Sequence, residues 1–492
     1  MPAMSAAHAP EITAPGVSPP DGLGAAPATP AAAALPESLL RRFDAPGPRY
    51  TSYPTADRFV DTFGEAQLQP ALRQRARHGA GGAAQPLSVY VHIPFCASVC
   101  YYCACNKVIT RHHERAAEYL DALDAEIDAV VALTGRGQPV SQLHFGGGSP
   151  TFLSDAELAR VVASLRRAFA IDGDTEMSIE IDPRTVTPAR LAHCRALGFN
   201  RISFGVQDFD PQVQQAVHRV QPFDSVRDLM LSARELGFHS INADLIYGLP
   251  RQTPESFART VRQIGELRPD RIALYAYAHL PHRFKPQRRI VSAELPGPAQ
   301  RVAMLGDAIA GFLGRGYQYI GMDHFALPDD ALAVARRQGR LHRNFQGYST
   351  QPDCDLIGLG VSAIGKVGAH YYQNAKTLPE YYGALRQGRL PVQRGVALTD
   401  DDLLRRDVIM ALMCQGRLDF AAIERAHGVC VRDAFAAELQ ALQPMAESGL
   451  VQIEAGAIQV TAAGWYLVRA VAMVFDRYLQ RGMPLERFSR IV

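Results

Sequence analysis

The segment PLSVYVHIPFCASVCYYCACNK, residues 86–107, joins a run of apolar and β-branched residues directly to four cysteines. The apolar run is short and is enriched in valine and isoleucine, which is typical of a buried β-strand. Cys96, Cys100, Cys103 and Cys105 follow within ten positions, although the whole chain has only eight cysteines. The segment therefore predicts a reactive loop at the carboxyl end of the first strand of an α/β fold.

The pattern continues as five more strand-like runs, each separated from the next by a helical pattern. The predicted strands cover residues 86–95, 141–147, 176–182, 201–207, 240–250 and 271–277. The main helical patterns cover residues 114–133, 154–169, 187–198, 223–237 and 253–267. Ser154 with Glu157 three residues later is typical of a capping box at a helix start. Six alternating units predict a parallel sheet, which periodicity alone leaves as a closed barrel, a partial barrel or an open sheet.

Polar and aromatic residues recur where the predicted strands end. Parallel strands place their carboxyl ends at one edge of a sheet, where α/β enzymes bind their ligands. The residues expected at this edge, besides the cysteines, are Gly146–Thr151, Glu180, Asp182, Gln207, Asp208, Asp244, Tyr275 and Tyr277. Their shared position favours one functional site over a set of unrelated structural residues.

Composition divides the rest of the chain into further regions. Residues 1–36 are rich in alanine and proline, which predicts a disordered tail. We expect residues 37–85 to cover the site, residues 86–370 to form the catalytic domain and residues 371–492 to form a mainly helical domain. In the last region, residues 450–461 predict two short strands of a small winged element, followed by a long final helix.

Charge and hydropathy exclude several classes of protein. With 51 basic and 49 acidic residues the chain is nearly neutral, so a general nucleic-acid binder is not expected, and the winged element is interpreted as a structural cover. No apolar run reaches the roughly 20 residues that span a bilayer. The alanine- and proline-rich start has neither the basic residues nor the apolar core of a signal peptide, which favours a cytoplasmic protein without a disulfide framework.

The cysteine spacing, Cys96-x3-Cys100-x2-Cys103-x-Cys105, indicates a metal centre without fixing its metal. A structural zinc site normally combines two short cysteine or histidine pairs from separate places, and no second pair follows nearby. Thiolates also ligate iron–sulfur clusters, so the residues alone leave iron–sulfur and zinc open.

The first three cysteines, with aromatic Tyr102 before the third, resemble the signature of the radical S-adenosylmethionine (SAM) superfamily. A longer series of segments is similar to the oxygen-independent coproporphyrinogen III oxidase family within it. These segments include GPRYTSYPTA (47–56), GGGSPTFL (146–153), FNRISFGVQDFD (199–210), DLIYGLPRQTPESF (244–257), LHRNFQGYSTQ (341–351) and GLGVSAIG (358–365). The similarity runs from about residue 38 to the carboxyl end.

The resemblance implies a partial (β/α)6 barrel of the radical SAM type, one [4Fe–4S] cluster and two SAM molecules. It assigns Cys96, Cys100 and Cys103 to the cluster. Positions around the cluster-bound SAM are Tyr90, Gly147, Glu180, Ala278 and Ile364, and positions around the second SAM are Tyr102, Gly148, Ser149, Gln207, Arg219 and Asp244. Tyr90 and Cys105 are the catalytic candidates. Cys105 is expected to be catalytic or to shape the cofactor site, although a spare buried thiol is the alternative.

The resemblance also implies the reaction. The substrate is coproporphyrinogen III, two of whose propionates become vinyl groups with loss of CO2, and an external donor and acceptor exchange electrons with the site. Candidates for binding the propionates are Arg49, Tyr50, Arg283 and Arg343, and a monomer is expected. Two rival hypotheses are a haem-binding chaperone of the same superfamily and a zinc-binding module whose winged element meets DNA.

Overall fold

The computed structural model describes residues 39, 42–43, 45–81, 85–351 and 354–480 of the chain, so the predicted tail at 1–36 lies outside the described residues. The strands of the main sheet are β1 (Leu87–Ile93), β4 (Gln138–Gly147), β5 (Phe169–Ala170), β6 (Glu176–Ile181), β7 (Arg201–Gln207), β8 (Ser240–Tyr247), β9 (Arg271–Ala276), β10 (Gln318–Gly321), β11 (His324–Ala326), β14 (Asp355–Leu359), β15 (Ile364–Val367), β16 (His370–Asn374) and β17 (Val392–Ala397). Smaller sheets pair β2 (Phe95–Cys96) with β3 (Val108–Ile109), β12 (His342–Asn344) with β13 (Gly347–Ser349), and β18 (Arg417–Asp419) with β20 (Ala457–Val460) and β19 (Val451–Ile453).

The α-helices follow the same chain order. They are α1 (Glu65–Gly81), α2 (Arg115–Thr134), α3 (Asp155–Ala168), α4 (Pro188–Ala196), α5 (Pro211–Ala216), α6 (Phe223–Glu235), α7 (Pro254–Leu267), α8 (Pro298–Leu313), α9 (Ala331–Arg337), α10 (Leu378–Arg386), α11 (Asp400–Gln415), α12 (Phe420–His427), α13 (Val431–Ala434), α14 (Ala436–Ala441), α15 (Gln443–Glu447), α16 (Ala462–Trp465), α17 (Val468–Met473) and α18 (Arg477–Gln480). The predicted capping box opens α3, because Glu157 N donates to Ser154 Oγ and Ser154 N donates to Glu157 Oε2.

The main sheet has the strand order β10-β11-β9-β8-β7-β6-β4-β1-β14-β15-β16-β17. The six predicted strands are β1, β4 and β6 to β9. Every pair of neighbouring strands within this group is parallel. Within the described residues the strand order ends at β10 and β17, which do not pair with each other, so the sheet is not a closed barrel, in agreement with the expected partial barrel. Parallel β14 and antiparallel β15 to β17 extend it beyond β1. β16 spans the boundary predicted at residue 371, and β17 lies after it.

Alternation along the parallel strands separates an apolar layer from a polar one. In β6, for example, Met177, Ile179 and Ile181 are buried, whereas Ser178 and Glu180 are only partly buried. The apolar residues join the large core with residues of α3, α6 and α7. Because side chains in a strand point alternately to opposite faces, the polar set of each strand is left to line the other face of the sheet. Glu180 in β6 and Asp244 in β8, both predicted site residues, belong to this polar set.

The carboxyl-terminal region is mainly helical and carries the three-stranded sheet of β18 to β20, which includes the two predicted short strands. The expected long final helix is wrong for the described residues, since α16, α17 and α18 are separate helices of four to six residues. Within the described residues no helix is both long and apolar enough to cross a bilayer.

Candidate active site

The cysteine loop is closed at its base by strand pairing. Val108 N donates to Pro94 O at 2.8 Å and Thr110 N donates to Cys96 O at 3.0 Å. Inside the loop the Lys107 ammonium donates to Cys103 O at 2.9 Å and to Cys105 O at 3.2 Å. These bonds use backbone groups that would otherwise lie unpaired, so the loop conformation is specified by the chain itself.

Two guanidinium groups reach the sulfur of Cys100. Arg219 Nη1 lies 3.3 Å and Arg184 Nη2 lies 3.4 Å from Cys100 Sγ. Asp182 holds both arginines, at 3.3 Å from Arg219 Nη1 and 2.6 Å from Arg184 Nη2. These two guanidinium groups lower the pKa of Asp182 against the opposing effect of its burial.

The other cysteines differ in how readily they ionise. The hydrogen bond with Cys105, aided by Lys107, lowers the pKa of Cys103 to about 6, so this thiol is mainly a thiolate near neutral pH. The same bond raises the pKa of Cys105 well above its ordinary value. Burial, followed by the charges of Cys103 and Cys100, raises the pKa of Cys96 to about 12. A cation bound among these thiols would offset the repulsion between them.

The donor chemistry of this loop fits a [4Fe–4S] cluster. Its three cysteine sulfurs are ligands of the soft type that iron–sulfur clusters require, and Cys100 already accepts hydrogen bonds of the kind that tune cluster potentials. In the part of the chain that the structure describes, no trio of His, Cys, Asp or Glu side chains is arranged to hold a metal ion. The fit therefore depends on the donor set and its electrostatic surroundings.

A hydrogen-bonded group joins β1, β4 and β6 beside the cysteine loop. Tyr90 Oη and His92 Nδ1 lie 3.0 Å apart, and His92 Nε2 lies 3.0 Å from Asn106 O. Burial lowers the pKa of His92, which favours the neutral ring that accepts from Tyr90 and donates to Asn106 O. His144 stacks on Tyr90 with ring centroids 5.8 Å apart, and its Nε2 lies 3.3 Å from Glu180 Oε1.

The glycine turn after β4 has no room for side chains. Gly147 has φ +115°, and a Cβ there would lie 2.7 Å from the His92 ring. At Gly148 a Cβ would lie 2.6 Å from Pro94 O. Gly147 N donates to Glu180 Oε2 at 3.3 Å and Ser149 N donates to Phe95 O at 2.9 Å. The turn thus packs directly against the carboxyl end of β1, where a backbone can approach a polar ligand closely.

Asp244 is a carboxylate with a strongly perturbed pKa. It accepts hydrogen bonds from Ser203 Oγ and Asn242 Nδ2, both at 2.9 Å. Burial, followed by the nearby Glu180 carboxylate, raises its pKa to about 6. Next to it, Gln207 has a positive φ of +68° and Arg219 Nη2 donates to Gly205 O at 2.6 Å. A buried, partly compensated carboxylate is suited to receive hydroxyl or amino donors of a ligand.

These groups border a cavity of about 930 Å3 on the polar face of the sheet. The predicted site residues that line it are Tyr90, Cys105, Gly147, Glu180, Asp244, Arg283 and Ile364. The predicted site residues that do not line it are Cys96, Cys100, Cys103, Tyr102, Gly148, Ser149, Gln207, Arg219 and Ala278. Ala278 follows the end of β9. The structure therefore brings one group of predicted residues together around the cavity. Of the others, Tyr102, Gly148 and Ser149 belong to the cysteine loop or the glycine turn, and Arg219 contacts Cys100.

Three of the four residues predicted to bind propionate do not line the large cavity. Arg49 Nη2 pairs with Asp323 Oδ2 at 2.9 Å, and its guanidinium lies over the Tyr275 ring at 5.2 Å. Tyr50 is fully buried and its hydroxyl donates to Asp476 Oδ2 at 2.9 Å. Arg343 borders a smaller cavity of about 280 Å3, with its guanidinium 4.6 Å from the centre of the Tyr348 ring. Of the four candidates, only Arg283 lines the large cavity.

Two cations that the sequence analysis did not single out, Lys376 and Arg394, line the large cavity with Arg283. Burial, then the guanidiniums of Arg394 and Arg283, lower the pKa of Lys376, so the three positive charges act on one another. Within the described residues none of the three forms an ion pair, whereas Arg271 in the same cavity pairs with Asp330 at 2.8 Å. Lys376 and Arg394 lie about 100 residues after Arg283 in the chain. No local sequence pattern indicated that the strands and loops that carry them would reach the cavity.

Aromatic side chains complete the cavity wall. Tyr275, Phe284, Phe345 and Tyr348 line it together with the cations. Tyr277, expected in the sixth strand, follows the end of β9 instead, where its N donates to Tyr247 O at 2.9 Å. The combination of flat apolar faces and unpaired cations suits a large, flat, polyanionic ligand.

Comparison with known proteins agrees with these features. The Radical SAM superfamily profile matches residues 90–264 and the HemN C-terminal domain profile matches residues 398–467. Oxygen-independent coproporphyrinogen III oxidase of Escherichia coli (strain K12) is 50% identical over 456 residues, which cover 92% of this chain and 98% of that protein. The Pseudomonas aeruginosa oxidase is 49% identical over the same shares of both chains. The solved structure of the Escherichia coli protein, HemN, described as a radical SAM enzyme, matches 90% of this chain and 98% of its own at 49% identity and a TM-score of 0.84.

Proposed function

Since the chain belongs to the oxygen-independent coproporphyrinogen III oxidase family of radical SAM enzymes, we propose that it converts coproporphyrinogen III to protoporphyrinogen IX. In this reaction two propionate side chains lose CO2 and become vinyl groups. The observation that carries the proposal is the meeting of a three-cysteine loop, a glycine turn and a polar cavity at the carboxyl ends of one set of parallel strands.

Cys96, Cys100 and Cys103 would hold the [4Fe–4S] cluster, and two groups of residues would hold two SAM molecules. Tyr90, Gly147, Glu180, Ala278 and Ile364 would surround the cluster-bound molecule. Tyr102, Gly148, Ser149, Gln207, Arg219 and Asp244 would surround the second. When bound, the cluster with SAM would supply, as a 5′-deoxyadenosyl radical, the chemistry that removes a hydrogen atom from the β-carbon of a propionate.

The chain's own side chains bind and orient the reactants. The Glu180 carboxylate, accessible in the cavity and bonded to Gly147 N, is placed to pair with an α-amino group. Asp244 accepts from hydroxyl or amino donors, and the Arg219 guanidinium is suited to a carboxylate. Arg283, Lys376 and Arg394 receive propionates that are not reacting, while Tyr275 and Phe345 pack on the tetrapyrrole.

The cavity walls also determine what happens to the reacting propionate. Holding the tetrapyrrole by its other carboxylates fixes one propionate in the region of Tyr90, Cys105 and Glu180. Its carboxylate leaves as CO2, and an external acceptor takes the remaining electron. Cys105, whose thiol stays protonated by its bond to Cys103, acts beside this position as a catalytic or shaping residue. We place the protein in the cytoplasm as a monomer that uses a separate electron donor.

The test is an anaerobic incubation of the protein, with its cluster reconstituted and reduced, with SAM and coproporphyrinogen III. Mass spectrometry should find a tetrapyrrole that has lost two CO2, together with 5′-deoxyadenosine. The Cys100→Ala variant is the control and should form neither product. An unchanged tetrapyrrole, with haem retained by a protein whose cluster is reducible, would instead support the chaperone hypothesis.

A further inference from the structure

We propose that the exposed surface over the cysteine loop, built by Lys285, Arg288 and Arg289 with Val220 and Val291, is the docking surface for an acidic protein that carries single electrons. The inference rests on the proposed function, because that function requires electrons to reach the cysteine loop. It goes further by assigning the place and the chemistry of the donor's contact.

The basic segment Lys285–Arg289 lies directly against the cysteine loop. Gln287, which is buried, donates through Nε2 to Tyr102 O at 3.0 Å and accepts at Oε1 from Leu280 N at 2.6 Å. The Arg289 guanidinium lies 5.3 Å from the centre of the Tyr101 ring. Tyr101 and Tyr102 lie between Cys100 and Cys103, so this short helical turn contacts the loop that carries the sulfurs.

Few side chains separate the cysteine loop from the protein surface. The Tyr101 ring stacks on His218, with centroids 5.1 Å apart and planes at 9°. His218 is exposed, and its Nδ1 lies 2.9 Å from Val99 O. Tyr101 N donates to Val217 O at 2.9 Å. Tyr101 lies between Cys100 and Cys103 in the chain and contacts the exposed His218. The distance from the surface to the proposed cluster ligands is therefore short, as electron transfer requires.

Two large apolar side chains on this surface are exposed. Val220 is 58% exposed and Val291 is 55% exposed, and among the described residues they are the most exposed large apolar side chains. Each lies close in sequence to a member of one small buried cluster, in which Val217 and Ile290 pack with Tyr101. In a complex, these two side chains would add apolar area to a contact whose main attraction is the charge on this surface.

The charge on this surface is positive. Lys285, Arg288 and Arg289 are exposed, and in the part of the chain that the structure describes none of them pairs with a carboxylate. Glu294, which follows this segment in the chain, already pairs with Arg251 at 2.8 Å. A near-neutral chain that gathers unpaired cations beside its redox centre is suited to steer an acidic partner to that place.

The electron balance fixes the kind of carrier. For each reduction the carrier gives up one electron and the cluster gains one, and no proton or group is transferred. A small acidic flavodoxin in its hydroquinone form meets these requirements, since it returns to the semiquinone after donating one electron. We use this protein as the probe.

The experiment measures binding of fluorescently labelled flavodoxin to the holoenzyme under anaerobic conditions, over a range of ionic strength. For the Lys285→Glu/Arg288→Glu/Arg289→Glu variant, the dissociation constant at low ionic strength should rise by about tenfold or more, because like charges would face each other. The Arg340→Glu/Arg389→Glu/Arg425→Glu variant changes the charge equally at exposed sites elsewhere and should bind flavodoxin as the wild type does. Val220→Ser/Val291→Ser should weaken binding without changing its salt dependence.

Iron content and the rate of product formation with a chemical reductant separate this inference from the proposed function. If the triple variant assembles its cluster and works with the chemical reductant but binds flavodoxin as tightly as the wild type, the docking inference is overturned. Lys285→Glu/Arg288→Glu, which leaves the Arg289 contact with Tyr101 intact, repeats the test in case the triple variant does not assemble its cluster. If the wild type forms no product with any reductant, the proposed function itself fails.

Discussion

Arg184 Nη2 lies 3.4 Å from the sulfur of Cys100, and the same guanidinium is held by Asp182 at 2.6 Å. A cation that donates to a ligand sulfur stabilises the added negative charge of a reduced iron–sulfur cluster. None of the motifs that indicated the cluster or its SAM molecules had assigned Arg184 a role. With Cys100 as a cluster ligand, as proposed above, we expect Arg184 to raise the reduction potential of the cluster.

Replacing Arg184 should lower that potential. Arg184→Gln removes the positive charge next to Cys100, and a tenfold loss in the stability of the reduced form corresponds to about 59 mV for a single electron. Potentiometric titration followed by electron paramagnetic resonance measures the shift. Arg184→Lys keeps the charge and should shift the potential less, so equal potentials in all three proteins would refute the role.

Cys105 should be needed for turnover but not for cluster assembly. Its thiol lines the cavity and hydrogen-bonds with Cys103, whose pKa it lowers, yet it is not one of the three proposed ligands. We expect Cys105→Ser to keep its iron and sulfide content and to lose at least about tenfold in the rate of decarboxylation. Cys430→Ser, at an exposed cysteine of the carboxyl-terminal region, is the control. Loss of the cluster in Cys105→Ser would make the residue structural instead.

The cations around the cavity should determine substrate affinity. A hydrogen bond to a charged group contributes about 1.5–3 kcal/mol, so Lys376→Ala or Arg394→Ala should raise KM for coproporphyrinogen III by about tenfold or more. The turnover number should change less, because neither residue lies beside the reacting propionate in the proposed arrangement. Arg389→Ala, at an exposed arginine that does not line the cavity, should leave KM unchanged. The measurement is steady-state kinetics. An unchanged KM in both cavity variants would exclude these residues as the binding site of the propionates.

Asp244 should lower the stability of the fold in order to bind its ligand. Its pKa of about 6 in the folded protein exceeds the ordinary value of 3.8, so ionising it costs folding free energy; the cost is absent below about pH 4 and complete above about pH 6. Two pKa units correspond to about 3 kcal/mol. We expect Asp244→Asn to unfold at higher denaturant concentration than the wild type at pH 8, with the difference vanishing near pH 4.

The ligand side of this prediction has the opposite sign. Asp244→Asn should bind SAM more weakly at pH 8, where the wild type has a carboxylate to accept the ligand's donors. Isothermal titration of the protein with SAM at pH 8 and at pH 5.5 checks this, since the wild type should lose affinity on acidification and the variant should not. A variant that is less stable than the wild type at pH 8 and still binds SAM normally would contradict both the stability prediction and the binding prediction.

The strand–helix alternation and the site's position at the strand ends could be predicted because they follow from local rules. The apolar period of two in β6 to β8, the capping box at Ser154 and the glycine turn at Gly147 are set by neighbouring residues. The added strands β14 to β17 could not be, because short strands such as Ile364–Val367 are stabilised by pairing with distant partners rather than by their own pattern.

The same distinction applies within the site. Tyr50 and Arg343 were sensible candidates for binding a polyanion by residue type and motif, but which face of the fold a side chain reaches depends on tertiary packing. Tyr50 is fully buried against Asp476, whereas Lys376 and Arg394 reach the cavity from segments with no motif of their own. Residue type predicted cations and aromatic rings for a polyanionic ligand, and only the packed structure shows which cations line the cavity.

The central claim is that a hydrogen atom from a substrate propionate passes to the 5′-deoxyadenosyl group. The most direct measurement uses coproporphyrinogen III deuterated at the propionate β-carbons and follows deuterium into 5′-deoxyadenosine by mass spectrometry under anaerobic conditions. The account predicts 5′-deoxyadenosine carrying one deuterium, formed together with a tetrapyrrole that has lost CO2. Unlabelled 5′-deoxyadenosine alongside an intact tetrapyrrole would contradict it.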